Sequence, residues 1–167
     1  AAADHLRLKL KAAGDRVTLS GERRYPSREF DSLEAIVMRY LADAGQEAGA
    51  DCPRGAFAIA GPVQGRRSRT TNLPWEIDAD RLERVLGLDR VGLLNDLEAV
   101  AWGVAALGPE DLLELHPGET TGVQGNACVV AAGTGLGEAG LYWDGERHHP
   151  FATEGGHTDF APVDERE

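Results

Sequence analysis

The sequence has 167 residues, 42% of them hydrophobic, and a formal net charge of -11. This length is sufficient to bury a core without disulfides, and the acidic balance argues against a nucleic-acid surface, which needs clustered Lys and Arg. No apolar run reaches the ~18 residues of a membrane span, so we expect no membrane partner. The two cysteines, Cys52 and Cys128, lack the spacing of a zinc site and predict reduced thiols in a cytoplasmic protein.

The N-terminal part predicts a hairpin followed by a helix. Apolar and polar residues alternate from His5 to Leu10, and Val17 to Tyr25 predict a second strand after a turn. Apolar residues then recur at helical spacing. Either Asp31 or Ser32 can cap this helix, which is predicted to end near residues 45–49.

The middle of the chain alternates strand, loop and helix. The apolar run Gly55–Ala60 predicts a buried strand, and the basic cluster Gly65–Arg69 predicts a solvated hairpin or loop. Asp78 is predicted to cap a helix that Gly87 closes. In the loop before this helix, Asn72 could hydrogen-bond sugar hydroxyls, although a lone Asn is equally typical of a turn.

The stretch around Asn95-Asp96 carries the strongest functional signal. The apolar residues Val91–Leu94 predict a strand that ends in this polar pair, and 97–107 predict an Ala-rich helix. In an open α/β sheet, ligands bind where strands end and helices begin. A carboxylate at that point is stabilised by the unpaired N–H groups of the helix start. The alternative is that Asn95 or Asp96 is only the helix N-cap.

The last third predicts a connection and then further strands. Residues 108–125 contain several turn-formers and predict at most one helical turn, and Ala127–Ala132 predict another buried strand. Ala139–Trp143 predict a strand that turns at residues 144–145, and no clear period appears from His148 onward. The alternation of strands and helices after an initial hairpin predicts an α/β fold with a mixed sheet.

Two glycine-containing clusters are candidates for ligand binding. The loop Gly133–Gly137 follows a strand, and its backbone N–H groups and the Thr134 hydroxyl could cradle a phosphate, although a hairpin turn explains it equally well. The stretch Glu154–Asp159 brings a carboxylate and an imidazole together on an exposed loop suited to a polyol. Its alternatives are a flexible loop with incidental polar residues or a metal site.

Other histidines and tryptophans are interpreted as structural. His148 and His149 are adjacent and have no further ligand at zinc spacing, so we expect surface residues and no metal held by side chains. Trp75 and Trp102 have core-like neighbours and are expected to be packing groups.

In this order and spacing, the motifs resemble the bacterial ATP-dependent glucokinase family of the hexokinase, actin and Hsp70 superfamily. The stretches that carry the resemblance are Ala60–Val63, Thr71-Asn72 with Trp75, Leu94–Ala99, Ala132–Gly137 and Glu154–Pro162. The resemblance implies a ribonuclease H-like α/β domain with a mixed sheet flanked by helices, and the start of a second lobe. We expect a small domain at residues 1–107 and a connection with the start of a large domain at 108–167.

The resemblance also implies a reaction and its residues. Asp96 would be the general base for transfer of the γ-phosphoryl of ATP, with Mg²⁺, to the 6-hydroxyl of D-glucose. Glucose would be bound by Asn72, Asn95, Asp96, Glu154 and His157, and the nucleotide by Asp4, Gly133, Thr134, Gly135 and Gly137. A homodimer is suggested by the resemblance alone.

Two departures from the family pattern bear on activity. The family places a segment of the type x-Gly-Gly-Thr after its first Asp, and this segment is absent between Asp4 and His5. Family members also continue well beyond the position of Glu167. We therefore expect this chain to be an incomplete, inactive portion of a kinase. The alternatives are a sugar-binding or regulatory module without catalysis, a kinase for another hexose or an N-acetylated sugar, and an actin-like ATPase.

Overall fold

The computed structural model describes residues 21–44, 53–70, 72–118, 125–133 and 135–158, and the backbone at 5–8, 11–13 and 16–18. Asp4, Cys52 and Thr134 lie outside the described residues. The chain divides into two compact units, residues 1–96 and 97–167. The predicted domain boundary after Leu107 lies within the second unit, and it stays a prediction. Within the described ranges, none of the helices has the length and apolar character of a membrane span.

The first unit combines antiparallel strands, one parallel pair and two helices. Its elements are β1 His5–Leu8, β2 Lys11–Ala13, β3 Arg16–Thr18, β4 Arg23–Pro26, α1 Leu33–Ala44, β5 Arg54–Ile59, β6 Val63–Gln64, β7 Arg67–Arg69, β8 Glu76–Asp78, α2 Ala79–Leu86 and β9 Arg90–Asn95. β1 pairs antiparallel with β4 and β2 with β3, which confirms the N-terminal hairpin. β6, β7 and β8 form an antiparallel meander, and β5 pairs parallel with β9. The α/β class is therefore confirmed.

Local sequence signals set the helix ends of this unit. The Ser32 Oγ accepts a hydrogen bond from the Ala35 N–H at 3.2 Å, so Ser32 supplies the side-chain cap at the start of α1. Asp78 Oδ1 accepts from the N–H groups of the second and third residues of α2, at 2.9 and 3.1 Å. Gly87 closes α2 with φ 68°, a left-handed conformation that favours glycine. These contacts confirm the predicted bounds of α2.

The core of the first unit lies between the helices and strands β5 and β9. Its largest fully buried side chains are Leu33, Ile36, Leu82 and Val91. The prediction of a buried β5 strand is wrong for one face, because Phe57 and Ile59 are buried while Ala56 and Ala58, which alternate with them, are exposed. The strand therefore packs on one side only, as side chains alternate across a pleated strand.

The second unit contains a helix and a three-stranded antiparallel meander. Its elements are α3 Asp96–Val104, which begins at the last residue of the first unit, β10 Ala127–Ala132, β11 Leu136–Trp143 and β12 His148–Ala152. A single 3₁₀ turn at Pro109–Asp111 agrees with the predicted connection as far as it is described, to residue 118. β12 was missed from the sequence, because a histidine pair and a proline hide its alternation.

Helix α3 covers one face of this meander. Leu97 and Ala101 pack against a small cluster of inward-facing side chains on the strands, Val129, Ala139 and Leu141. In the antiparallel register, the opposite face carries Val130, Leu136, Tyr142 and Phe151, all at least 45% exposed. Two predictions are therefore wrong: β10 is not a buried strand, and Trp102 is 52% exposed rather than a packing group.

Candidate active site

Asn95 and Asp96 lie where a strand passes into a helix, as predicted. Ile59 of β5 and Asn95 of β9 are partners in the parallel register, so the two strands end side by side. Asp96 is the first residue of α3, and both Asn95 and Asp96 are half-buried. This arrangement holds an amide and a carboxylate at the carboxyl end of a parallel strand pair, which is the usual ligand position in open α/β sheets.

The segment Gly61-Pro62 anchors the Asn95 side chain. Asn95 Nδ2 donates a hydrogen bond to the Gly61 carbonyl at 3.3 Å. Gly61 has φ 151°, a conformation that other residues rarely adopt. The next carbonyl, of Pro62, accepts from the Ser68 hydroxyl at 2.9 Å, and Ser68 is only 6% exposed. Two consecutive carbonyls are therefore held by side chains from different elements.

Asn72 lies in a loop whose shape is fixed by its neighbours. The Thr70 hydroxyl donates to the Leu73 carbonyl at 2.7 Å, and the Thr70 N–H donates to the Trp75 carbonyl at 3.3 Å. Trp75 is 5% exposed, which confirms it as a packing group. Asn72 is exposed on this constrained loop, so its amide can meet a ligand without the backbone having to reorder.

The basic cluster forms the β6–β7 hairpin, as predicted, but it is not simply solvated. Arg66 bonds Asp80 and Glu83 on α2, both at 2.5 Å, and these two hydrogen bonds raise the pKa of Arg66. Glu83 also accepts from the Val91 N–H at 2.8 Å, and this bond and Arg66 lower the pKa of Glu83. The hairpin is thereby tied to α2 and to the start of β9. No periodic pattern in the sequence predicts these contacts.

The first unit has a shallow cleft of about 320 Å³. No predicted site residue lines it, although Pro74 and Trp75, which follow Asn72 in its loop, do. It is lined by Asp31, Ser32, Arg69, Pro74, Trp75, Glu76 and Arg81. Arg81 in its wall bonds Glu34 at 2.6 Å and the Glu76 carbonyl at 2.7 Å. The chemistry at Asn95-Asp96 makes a better candidate site than this cleft, because Arg81 in the cleft already makes structural contacts.

In the second unit, the glycine loop is the tip of the β10–β11 hairpin. The Gly133 N–H donates to the Gly135 carbonyl at 2.9 Å. Together with the pairing of β10 and β11, this bond confirms that the loop is a hairpin turn. Glycine at position 137 lets the Leu97 side chain pack closely against the strand, because a Cβ there would lie 2.8 Å from it. A Cβ at Gly135 would meet nothing within 4 Å, and one at Gly133 only the Gly135 carbonyl at 4.0 Å. The space beside these two glycines is therefore open among the described residues, and glycine is also common in such a turn.

The Glu154–His157 cluster forms a compact turn. Gly155–His157 is a 3₁₀ turn, and the His157 Nδ1 lies 3.2 Å from the Glu154 Oε2. The two side chains are 81% and 66% exposed, so the predicted carboxylate and imidazole pair is open to solvent. Both groups are able to bond the hydroxyls of a polyol.

This turn packs against the strand that leaves the glycine loop. A Cβ at Gly156 would collide with the Leu136 carbonyl, and one at Gly155 would collide with the Glu138 carboxylate. The Thr153 hydroxyl also donates to the Glu138 carbonyl at 3.4 Å. The second unit therefore brings together two motifs that lie well apart in the sequence.

His148 and His149 make structural contacts within the second unit. His148 Nε2 lies 2.9 Å from the Gly125 carbonyl oxygen, and His149 Nε2 lies 2.5 Å from Asp144 Oδ2. Hydrogen bonds from the backbone N–H groups of Arg147 and Glu146 hold the pKa of Asp144 well below its usual range, and a smaller contribution comes from the His149 side chain. In the part of the chain that the structure describes, no group of three His, Cys, Asp or Glu side chains is arranged to hold a metal.

Comparison with known proteins identifies a family from the sequence and finds a similar fold among solved structures. A family model described as Glucokinase matches residues 3–167. Glucokinase of Nostoc sp. is 37% identical over 146 residues, which are 87% of this chain and 42% of the relative. Glucokinase of Stenotrophomonas maltophilia is 39% identical over 145 residues, 84% of this chain and 42% of the relative.

Solved structures show a similar fold. A glucokinase from an Antarctic psychrotroph is 24% identical with a TM-score of 0.77, over 97% of this chain and 49% of that chain. A glucokinase from Balamuthia mandrillaris, solved in complex with glucose, is 23% identical with a TM-score of 0.75, over 98% and 48%. The chain spans less than half the length of these proteins. Because the family model matches nearly every residue, the chain belongs to the glucokinase family.

Proposed function

We propose that this chain is part of an ATP-dependent kinase that transfers the γ-phosphoryl group to the 6-hydroxyl of D-glucose. Membership of the glucokinase family supports the reaction class. The observation that carries the proposal is the position of Asp96, the first residue of α3, directly after Asn95 at the end of β9. A carboxylate at this point can accept the proton that the sugar hydroxyl loses as it attacks phosphorus.

Each unit contributes hydrogen-bonding side chains that we propose as ligands of glucose. In the first unit, Asn95 and Asp96 are held at the end of β9, and Asn72 lies on a constrained loop. In the second unit, Glu154 and His157 form an exposed pair that can accept and donate hydrogen bonds. Phosphoryl transfer asks the protein mainly to align the hydroxyl and to stabilise charge, and fixed hydrogen-bonding groups serve the first of these tasks.

The glycine loop fits the phosphates of ATP. When bound, ATP supplies the transferred phosphoryl group, with Mg²⁺ to neutralise its developing charge. Gly133, Thr134, Gly135 and Gly137 would hold the phosphates, and the open space beside the backbone at positions 133 and 135 supports this role. Asp4 is proposed as a further nucleotide contact on the family resemblance alone.

The family resemblance extends the proposal to the fold, the cellular location and the oligomeric state. We assign the first unit to the ribonuclease H-like fold of the hexokinase, actin and Hsp70 superfamily, because helices pack on strands of mixed direction. A cytoplasmic location and a homodimer are proposed on the resemblance.

The test is glucose 6-phosphate formation from ATP by the complete gene product, measured in a coupled assay. Asp96→Asn should lower kcat by about 10²- to 10⁴-fold and leave the glucose Kd nearly unchanged, because the amide cannot accept the proton. Asp89→Asn is the matched control, since Asp89 is an exposed carboxylate in the loop before β9. A kcat close to wild type in Asp96→Asn would remove Asp96 from the base role. Glucose binding without any phosphoryl transfer by the wild-type protein would select a sugar-binding or regulatory module.

A further inference from the structure

Glu138 is a half-buried carboxylate without an assigned role. It lies in β11 directly after Gly137, the last residue of the glycine loop. Its backbone carbonyl accepts a hydrogen bond from the Thr153 hydroxyl at 3.4 Å. In the described part of the chain, neither a cationic side chain nor an N–H group is bonded to its carboxylate. A partly buried charge is costly unless a donor reaches it, and a bound ligand can supply that donor.

The carboxylate of Glu138 is packed against the Glu154–His157 turn. A Cβ at Gly155 would overlap Oε2 of Glu138, so the carboxylate occupies the space that a side chain at position 155 would fill. Gly155 directly follows Glu154, and consecutive Cα atoms lie about 3.8 Å apart. The carboxylate is therefore beside the backbone that carries the exposed Glu154 and His157 pair.

We infer that Glu138 is a further sugar-binding residue, whose carboxylate accepts a hydrogen bond from one hydroxyl of glucose. This inference rests on the proposed function. An ionised carboxylate has acceptors only, and the hydroxyls of a hexose are matching donors. The phosphates of ATP carry the same sign of charge as Glu138, so the carboxylate suits the sugar rather than the nucleotide.

The first experiment measures glucose binding by Glu138→Ala in the complete gene product. We expect the Kd and the KM for glucose to rise about 10- to 100-fold, as loss of a hydrogen bond to a charged group implies, with the KM for ATP changed less than about twofold. Glu138→Gln keeps the shape and one acceptor oxygen without the charge, so it should give an intermediate Kd, and it tests the inference if Glu138→Ala does not fold. Glu146→Gln is the matched control, because Glu146 is an exposed residue beyond the other end of β11.

Deoxyglucoses that each lack a single hydroxyl separate a direct contact from a structural effect. In wild type, removal of the hydroxyl that Glu138 binds should raise the Kd. In Glu138→Ala, the penalty for removing that same hydroxyl should be about 10-fold smaller, because its acceptor is already absent. Equal losses for glucose and for every deoxyglucose would overturn the inference, since they would show a structural effect alone.

Gly155 offers an independent way to move the carboxylate. The Cβ of Gly155→Ala would meet the end of the flexible Glu138 side chain rather than backbone, and Gly155 is not among the described glycines with positive φ. The substitution should therefore displace the carboxylate without breaking the turn, and raise the glucose Kd about 3- to 10-fold. In a Glu138→Ala background it should have no effect, and an additive loss there would overturn the inference.

The outcomes separate this inference from the proposed function. Wild-type activity with an unchanged glucose Kd in Glu138→Ala would overturn the sugar contact and leave the kinase intact. A rise in the KM for ATP or in the Mg²⁺ requirement, with the glucose Kd unchanged, would also overturn it by assigning the carboxylate to the nucleotide. A wild-type protein that neither binds nor phosphorylates glucose would overturn the proposed function, and the sugar contact with it.

Discussion

The two units bury apolar surface in different ways. In residues 1–96, one cluster joins side chains from both helices and from strands β4, β5, β8 and β9, and Met38 and Val85 are the large apolar side chains left exposed among its described residues. In residues 97–167, the described buried cluster is limited to Ala101, Ala139 and Leu141. Most of the exposed large apolar side chains belong to this second unit.

The difference follows from how many faces of each sheet are covered. The parallel pair β5–β9 has helix α2 packed on its buried residues, and a hydrogen bond from the Val91 N–H to the Glu83 carboxylate adds to this contact. The meander β10–β12 has α3 on one face and no described element on the other. Apolar burial is the main favourable term in folding, so the first unit should hold its candidate residues more firmly than the second.

The largest expected effect is a cavity in the core of the first unit. Leu82→Ala removes a side chain that is fully buried, and it should lower the free energy of unfolding by about 2–5 kcal/mol. Leu141→Ala in the second unit should cost about half as much, because fewer groups surround it. Val85→Ala, on the exposed side of α2, is the control. Denaturant unfolding followed by circular dichroism measures all three, and equal losses at Leu82 and Leu141 would contradict the comparison.

A smaller effect is expected at the contact between α1 and α2. Arg81 Nε lies 2.6 Å from the Glu34 Oε1, and the Glu34 side chain is only 8% exposed. Arg81→Met should destabilise the protein by about 1–2 kcal/mol, because it leaves a buried carboxylate without its partner while Arg81 itself is partly solvated. Arg81→Met combined with Glu34→Gln should recover part of the loss in the same unfolding assay. An unchanged midpoint in Arg81→Met would show that the helices do not depend on this pair.

The turn between β11 and β12 gives the second unit a pH-dependent contact. Backbone N–H groups lower the pKa of Asp144, so the ionised form is favoured in the folded state. Its stabilisation is complete above the ordinary carboxyl pKa of 3.8 and is lost as the pH falls towards the lower folded pKa. Asp144→Asn should therefore flatten the decrease in stability between about pH 5 and about pH 3, measured by urea unfolding. An identical pH profile in wild type and variant would exclude this contribution.

The smallest effect is expected on the open face of the meander. Val130 is 58% exposed, so Val130→Thr should change the free energy of unfolding by no more than about 0.5 kcal/mol. The matched change Val91→Thr, at a strand residue 1% exposed, should cost about 1–3 kcal/mol, because it buries a hydroxyl. A large loss at Val130 would mean that this face is covered in solution.

Much of the first unit could be predicted from local sequence. Ser32, Asp78 and Gly87 are capping residues whose side chains or backbone act on their own neighbours, so they mark helix ends without tertiary information. The strand that ends at Asn95 was also predicted from a local pattern, the apolar run that precedes this residue. The candidate site residues were also chosen from sequence, although their assembly into one site is a proposal rather than a described contact.

Long-range contacts decided the rest. The sequence alone determined the α/β class, most strand and helix positions, and the motifs of the glucokinase family, because these depend on periodicity and on residues close in the chain. The tertiary structure decided which face of each strand is covered, the exposure of Trp102 and Val130, the ion pairs of Arg66 with α2, and the hydrogen bonds of Ser68 and Asn95 to the Gly61-Pro62 segment. These features join residues that lie up to dozens of positions apart, and a local pattern carries no information about which distant group completes a hydrogen bond or fills a space.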